Sequence, residues 1–203
     1  MNNYSPPFPG CSLIVEYCYF VCTQVPARAP CDQCVAYHIK SVSPTYPYCG
    51  ACNSLFNFLN SGDPYERQIK IRNLITYLTI KIMVTNFQEF VDGLPPHMRR
   101  YCEDGCFAKY YVYEGKCQAY CYVHHPVEFP DKKWLITPIN CVEQYCCIRE
   151  YLFCLDRQSG KPRFYTSIYT IPNIVCTNLN IQYSDCPIGE HVEILQCFDN
   201  CAH

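Results

Sequence analysis

Nineteen cysteines divide this 203-residue chain more firmly than any hydropathy pattern does. Seven lie toward the N-terminus, at Cys11, Cys18, Cys22, Cys31, Cys34, Cys49 and Cys52. Twelve lie in the C-terminal half, at Cys102, Cys106, Cys117, Cys121, Cys141, Cys146, Cys147, Cys154, Cys176, Cys186, Cys197 and Cys201. Between Cys52 and Cys102 there is none, so that stretch has to hold itself by ordinary packing. So many thiols are hard to keep reduced, and such a density marks a disulfide scaffold from an oxidising compartment. All nineteen are read as one disulfide framework. The odd total leaves at least one over, as a free thiol or as a bond to another chain.

The same division sets the organisation. The length suits one large domain or two small ones. A cysteine-rich β unit over 1–60, a central apolar helix over 61–96 and a second cysteine-rich β unit over 97–203 are expected, and together they also fit a single domain. Formal net charge is −2, with both signs interspersed, which gives no basis for binding nucleic acid or an anionic membrane. No run reaches the roughly 18 apolar residues of a membrane span, so no membrane insertion is expected. The opening "MNNYSPPFPG" lacks the basic and apolar regions of a secretory signal. Set beside the cysteines, it reads as a processed or re-engineered start.

The central stretch carries its own boundaries. Asp63 is a candidate N-cap, Pro64 suits the first helical position, and Glu66 completes a capping-box pattern. Ile71, Leu74, Ile75, Leu78 and Ile82 follow at helical spacing, and Ile80, Met83, Val84, Phe87 and Val91 make a second stripe. A helix apolar on two faces is a buried one. Gly93, Pro95 and Pro96 stop it. Outside it, "CSLIVEYCYFVC", "VAYHIKSV", "CIREYLFCLD" and "RFYTSIYTIPNIVC" are alternating or β-branched and aromatic runs that predict strands, with "DRQSGKPR" as a hairpin turn. A strand–loop–strand unit recurs at about 8–52 and 139–186. Tyrosine, also at 19, offers an apolar body with a polar tip for small cores and contact surfaces.

Three cysteine patterns carry chemistry. Cys31/Cys34 and Cys49/Cys52 are two Cys-x-x-Cys pairs separated by fourteen residues, close to the spacing at which four thiolates hold zinc. Val35 stands where a zinc knuckle wants a left-handed residue, and a β-branched side chain resists that conformation. The leading expectation is therefore no cofactor, with zinc as the alternative. "YCGACNSLFNFLN" resembles a thioredoxin-like dithiol, its first thiol at a helix start, but it lacks the usual proline between the cysteines. The twin Cys-x-x-x-Cys of "CEDGCFAKYYVYEGKCQAYC" suits a helical hairpin only if both arms are helical, and Gly105, Gly115 and "YYVY" disfavour that. In extended arms residues four apart lie ~13 Å from each other, beyond the reach of a disulfide. The segment is read as an internal hairpin whose cysteines bond across to other strands. On a strand, adjacent Cys146 and Cys147 point to opposite faces and would tie different layers. His124-His125 is read as an exposed loop rather than the start of a metal site. Arg99-Arg100 and Lys132-Lys133 are read as solvated charges. No hydrolase, metalloprotease, phosphate-loop or dinucleotide fingerprint occurs, and no catalytic residue is assigned.

"EYCYFVC", "CCIREYLFC" and the closing "CPIGEHVEILQCFDNCAH" resemble cysteine-rich exported proteins of unknown function from bacteria of the Bacteroidetes type. That resemblance implies an extracellular or cell-surface, β-rich, disulfide-bonded protein with no catalytic residues to carry over. The expected fold is mainly β with one buried central helix. The expected function is non-catalytic: a structural or interaction protein of the cell surface or extracellular space, as a self-assembling filament, adhesin or matrix component. Its partner is then protein, a second copy or another surface protein, with the odd cysteine available for an intermolecular disulfide. The alternatives are a secreted monomeric binding module or inhibitor, a zinc protein using Cys31, Cys34, Cys49 and Cys52, and a thiol oxidoreductase using Cys49 and Cys52.

Overall fold

The computed structural model describes residues 10–21, 33–45, 49–105, 108–115, 117–140, 146–170, 186–195 and 197–199. The strands are β1 (Leu13–Val21), β2 (Gln33–Pro44), β3 (Ala108–Gly115), β4 (Cys117–Pro126), β5 (Trp134–Asn140), β6 (Cys146–Leu155), β7 (Pro162–Thr170), β8 (Gly189–Ile194) and β9 (Phe198–Asp199). The helices are α1 (Gly50–Asn60) and α2 (Pro64–Asp92). Among the described residues, the nine strands form one sheet in the order β7-β6-β3-β2-β5-β4-β8, with β1 on β2 and β9 on β4. The chain is thus mainly β with a long central helix, and strands from both cysteine-rich segments share the sheet.

β2 is the strand that joins the rest. β1 runs antiparallel along it from Val35 to Pro44. Opposite β1, its first half pairs parallel with β3, and Val42 pairs with Ile136 of β5. The register with β1 steps from Glu16↔Ser41 to Tyr17↔Ile39, so Lys40 is an extra residue on β2. This bulge turns the strand's alternation over by one. Before it Val35, Tyr37 and Ile39 enter the core, and after it Val42 does. Ser41 and Ser43 then take the opposite face, both buried.

α2 lies over that inner face. Asp63 Oδ1 accepts the Glu66 amide at 2.9 Å, Pro64 opens the helix, and the Gly93 amide donates to Glu89 O at 3.1 Å to end it. One stripe is fully buried: Ile71, Leu74, Ile75, Thr79, Met83, Phe87 and Val91. Ile80 and Val84, read in the sequence as part of a second buried face, are only half-buried, because a single sheet covers a single face. The N-terminal half of the stripe packs with Ile39, Val42, Tyr120, Tyr122, Trp134 and Ile136. The C-terminal half packs with Val35, Tyr37, Tyr110, Val112, Tyr151 and Phe153. α1, within the segment expected to be all β, joins the first cluster through Leu55 and Leu59. Its buried residues, Cys52, Leu55 and Leu59, keep helical spacing, but the asparagines and the short run hide the pattern in the sequence.

Aromatic rings fill the second cluster from strand to strand. Tyr17 meets Tyr37 at 5.9 Å between centroids, Tyr37 meets Tyr110 at 5.8 Å, and Tyr110 meets Phe153 edge-on at 5.0 Å. Phe153 stacks on Phe164 at 5.3 Å and meets Phe87 of α2 at 5.2 Å. The tyrosine tips are satisfied from the helices. Asn86 donates to Tyr37 Oη at 2.7 Å, and Asn60 donates to Tyr122 Oη at 3.1 Å. This places part of the tyrosine content inside the core, where ring and hydroxyl each find a partner.

The segments around β6 and β7 follow their sequence signals. β6 and β7 form an antiparallel pair. Asp156 Oδ1 accepts from the amides of Gln158 and Ser159 at 3.1 and 2.7 Å, and Gly160 adopts a φ of +65°. That is the side-chain turn chemistry the sequence offers there. β3 and β4, by contrast, are not the hairpin that the twin cysteine motif suggested. β3 pairs with β2 and β6, and β4 pairs with β5, β8 and β9. A tight hairpin needs at least about two loop residues, and only Lys116 separates these strands.

Phe87 touches the ring of Phe153 with no exposed surface. Phe87→Ala should lower the free energy of unfolding by about 3–5 kcal/mol in denaturant titrations. Tyr65→Ala, at an exposed position of the same helix, should change it by less than about 0.5 kcal/mol.

Candidate functional site

The cysteines separate into staples and free thiols. Cys11–Cys52 ties the start of β1 to the first turn of α1, with Cα atoms 4.7 Å apart. Cys102–Cys154 ties the turn before β3 to β6 at 4.9 Å, and Cys121–Cys186 ties β4 to the residues leading into β8 at 5.8 Å. Cys117 and Cys197 are also disulfide-bonded. The members of the twin motif therefore do not bond within their own arm. Cys102, in a short helical turn, and Cys121, on a strand, both reach across to other parts of the fold; for the strand arm, the ~13 Å between residues four apart requires it. Cys18 and Cys49 are free thiols, both half-buried. Cys22, Cys31, Cys106, Cys141, Cys176 and Cys201 lie outside the described residues, as do the side chains of Cys34, Cys146 and Cys147.

Of the four cysteines with zinc spacing, Cys49 and Cys52 are described in full. Zinc binds thiolates, and Cys52 Sγ is held by Cys11, so zinc at this set requires that disulfide to be reduced. Cys49 sits at the N-cap of α1 with its Sγ 3.5 Å from Cys52 Sγ and 3.3 Å from Gly10 O. Cys52 is buried and Cys49 half-exposed.

A second group of side chains lines a concave site between the helices and the sheet edge. It has a volume of about 210 Å³ and is lined by Phe56, Asn60, Arg67, Tyr122, His124, His191 and Glu193. The antiparallel register of β4 and β8 builds its floor. Tyr122 pairs with Glu193 and His124 with His191, so the four side chains share one face. β8 enters this pairing at Gly189, where a Cβ would stand 2.3 Å from Val123 Cγ1 and 2.5 Å from the His124 carbonyl. Only glycine permits that approach. α1 supplies Phe56, whose ring meets His124 edge-on at 4.5 Å and Tyr122 at 5.4 Å. α2 supplies Arg67 from its first turn, and its guanidinium forks onto Glu193 at 2.5 and 2.6 Å while donating to Asn60 Oδ1 at 2.9 Å.

The charges of this site are settled by their neighbours. The hydrogen bond from Arg67 holds the Glu193 carboxyl below its usual range against the effect of partial burial. Burial depresses His124, and His191, His125 and Lys133 add to the effect, with Glu190 opposing. His124 is therefore neutral at neutral pH, able to donate from one ring nitrogen and accept at the other. Rings, a neutral imidazole and an ion pair line the site. Its lining contains no serine, threonine or cysteine nucleophile among the described residues.

The sequence reading treated His124 and His125 as one exposed loop. In the fold both lie in β4: His124 is a half-buried strand residue, and exposed His125, one residue before the strand's last, has a φ of +43°. The partners of His124 come from "GEHVEI", where His191 and Glu193 alternate onto one face. That alternation was the available signal, but the pairing of β8 with β4 lies 67 residues away from His124 to His191. Among the described residues, no three His, Cys, Asp or Glu side chains converge as a metal-binding group.

Because the folded His124 has the lower proton affinity, folding favours its neutral form. The unfolded chain takes up the proton first, so this contribution is present above the unfolded value of about 6.5 and is lost as pH falls through the folded one. NMR titration should place the His124 midpoint below ~6.5. His191→Ala should raise it, and denaturant stability should fall on acidification through the same range. Comparison with known proteins finds no matching family model, no matching curated sequence and no matching solved structure.

Proposed function

We propose that this chain is a non-catalytic, exported, disulfide-stapled interaction protein that assembles with a second copy through the outer edge of β1. The observation that carries the reading is the character of that strand. "LIVEYCYFV" is nine residues long, holds one charged residue and no proline, and among the described residues pairs on one side only. Ile14, Tyr17 and Tyr19 are exposed on it, Tyr19 by 63%. Edge strands that stay alone are guarded by lysine, proline or a bulge of their own. Here the bulge belongs to β2, and the one charge, Glu16, is neutralised by Lys132 at 2.8 Å.

The strand is also prepared for pairing. Cys11–Cys52 fixes its start, and Tyr17 leans on Tyr37, so little conformational freedom remains to be lost on association. In an antiparallel pair centred on Tyr17, Val15 faces Tyr19 of the second copy, and the two Glu16 residues do not face each other. Such a two-fold pair closes as a dimer. Growth into a filament or matrix needs a second contact, for which β7, the far edge of the sheet with Tyr165 exposed, is the available strand.

Export rests on the disulfides, which are compatible with an oxidising compartment. No helix among the described residues is long and apolar enough to cross a membrane. The alternative, a monomeric binding module, is favoured by the concave site around Phe56 and His124. The single tryptophan, Trp134, stacks on Tyr122 beside that site, so its fluorescence would report an occupant.

Sedimentation of the native protein at high micromolar concentration should show a dimer or larger species. Tyr17→Lys combined with Tyr19→Lys should sediment as a monomer with an unchanged circular dichroism spectrum. A wild-type chain that stays monomeric under these conditions rejects assembly through β1 and leaves the binding module.

A further inference from the structure

We propose that Cys11, Cys49 and Cys52 form an intramolecular thiol–disulfide exchange site in which Cys52 is the shared sulfur. Three sulfurs from two distant parts of the chain meet here. Cys11 and Cys52, 41 residues apart in sequence, are bonded, and the free Cys49 thiol lies 3.5 Å from Cys52 Sγ. That distance is close to van der Waals contact between sulfurs, the approach from which a thiolate attacks a disulfide. The helix holds it. Cys49 caps α1, and the Cys52 amide donates to Cys49 O at 3.0 Å, which sets both side chains at the same end of the first turn. The Cys49 thiol also donates to Gly10 O at 3.3 Å, so it rests against the segment that carries Cys11.

The exchange balances without an outside reagent. Cys49 loses its proton to solvent, and its thiolate attacks Cys52 Sγ. The Cys49–Cys52 bond forms as the Cys11–Cys52 bond breaks, and the bonding pair leaves on Cys11 Sγ, which takes up a proton. One thiol and one disulfide are present before and after, and nothing is oxidised or reduced overall. The two states differ in what is tied. In the first, the segment before β1 is stapled to α1 across 41 residues. In the second, the bridge spans only the Cys49-x-x-Cys52 turn, the segment is released, and the start of β1 carries a free thiol. The half-exposed position of Cys49 gives solvent access to the attacking group, while Cys52 is sheltered at 1% exposure. External thiols are thereby kept from the shared sulfur. The exchange needs one chain only, so its test does not depend on assembly through β1, although its second state removes the staple that fixes the start of that strand.

The test is alkylation of the native, oxidised full chain at mildly alkaline pH without reductant, followed by peptide mass mapping without reduction. Two populations are expected: Cys11–Cys52 with Cys49 alkylated, and Cys49–Cys52 with Cys11 alkylated. Cys49→Ser should abolish Cys11 alkylation while leaving the fold intact, since it removes only the free thiol. Cys11→Ser should be recovered with Cys49–Cys52 bonded. Cys11 that stays unmodified in the wild type after prolonged incubation overturns the proposal. So does Cys11 alkylation that persists in Cys49→Ser, or Cys49 and Cys52 both alkylated in Cys11→Ser.

Discussion

The bulge at Lys40 is the constraint on which the two cores depend. β2 is the strand that contacts both clusters under α2, and a strand of strict alternation would present Val42 to the wrong face. With the extra residue, Val35, Tyr37, Ile39 and Val42 all point toward one helix, and 29 residues of α2 cover them in a single buried stripe. The same shift sends Ser41 outward to donate to Glu16 at 3.0 Å, beside the Glu16–Lys132 pair. One inserted residue thereby aligns the parallel β2–β3 half of the sheet with the antiparallel β5–β4 half.

Around that frame the disulfides do what packing does not. Cys11–Cys52, Cys102–Cys154 and Cys121–Cys186 each fasten a turn or a strand start to an element distant in sequence, with separations of 41, 52 and 65 residues. Loops of this size restrict the unfolded chain strongly, and each such bridge typically contributes about 2–4 kcal/mol. Behind β4 the sulfurs also serve as core. Cys117 and Cys121 are buried with Ala119, Val123, Leu135 and Ile139, and Cys186 and Cys197 close over them. β4 is accordingly buried on both faces, which explains why "CQAYCYV" is apolar at every position but Gln118 rather than alternating.

Much of the fold was legible where the signal is local. The Asp63 cap, Pro64 and the Gly93 stop mark α2 to the residue, and the Asp156–Gly160 turn marks the β6–β7 hairpin. What escaped is what depends on contacts across the chain. α1 was hidden because its stripe is short and broken by asparagines. β3 and β4 were joined as a hairpin because they are neighbours in sequence, whereas their partners β2, β6, β5 and β8 come from elsewhere. The concave site combines Phe56, Arg67, His124 and Glu193 from four elements, and no spacing in the sequence announces it. The Cys49/Cys52 pair was visible as a motif, but the bond from Cys52 to Cys11 was not, since pairing follows from Cα proximity.

The central claim is that the native chain is an oxidised, stapled sheet. Alkylation in denaturant without reduction, followed by intact and peptide mass measurement, tests it directly. Cys102, Cys154, Cys121, Cys186, Cys117 and Cys197 should remain unmodified, with Cys102 linked to Cys154 and Cys121 to Cys186, while Cys18 takes up the label. Nineteen labelled cysteines in the native protein would contradict the account.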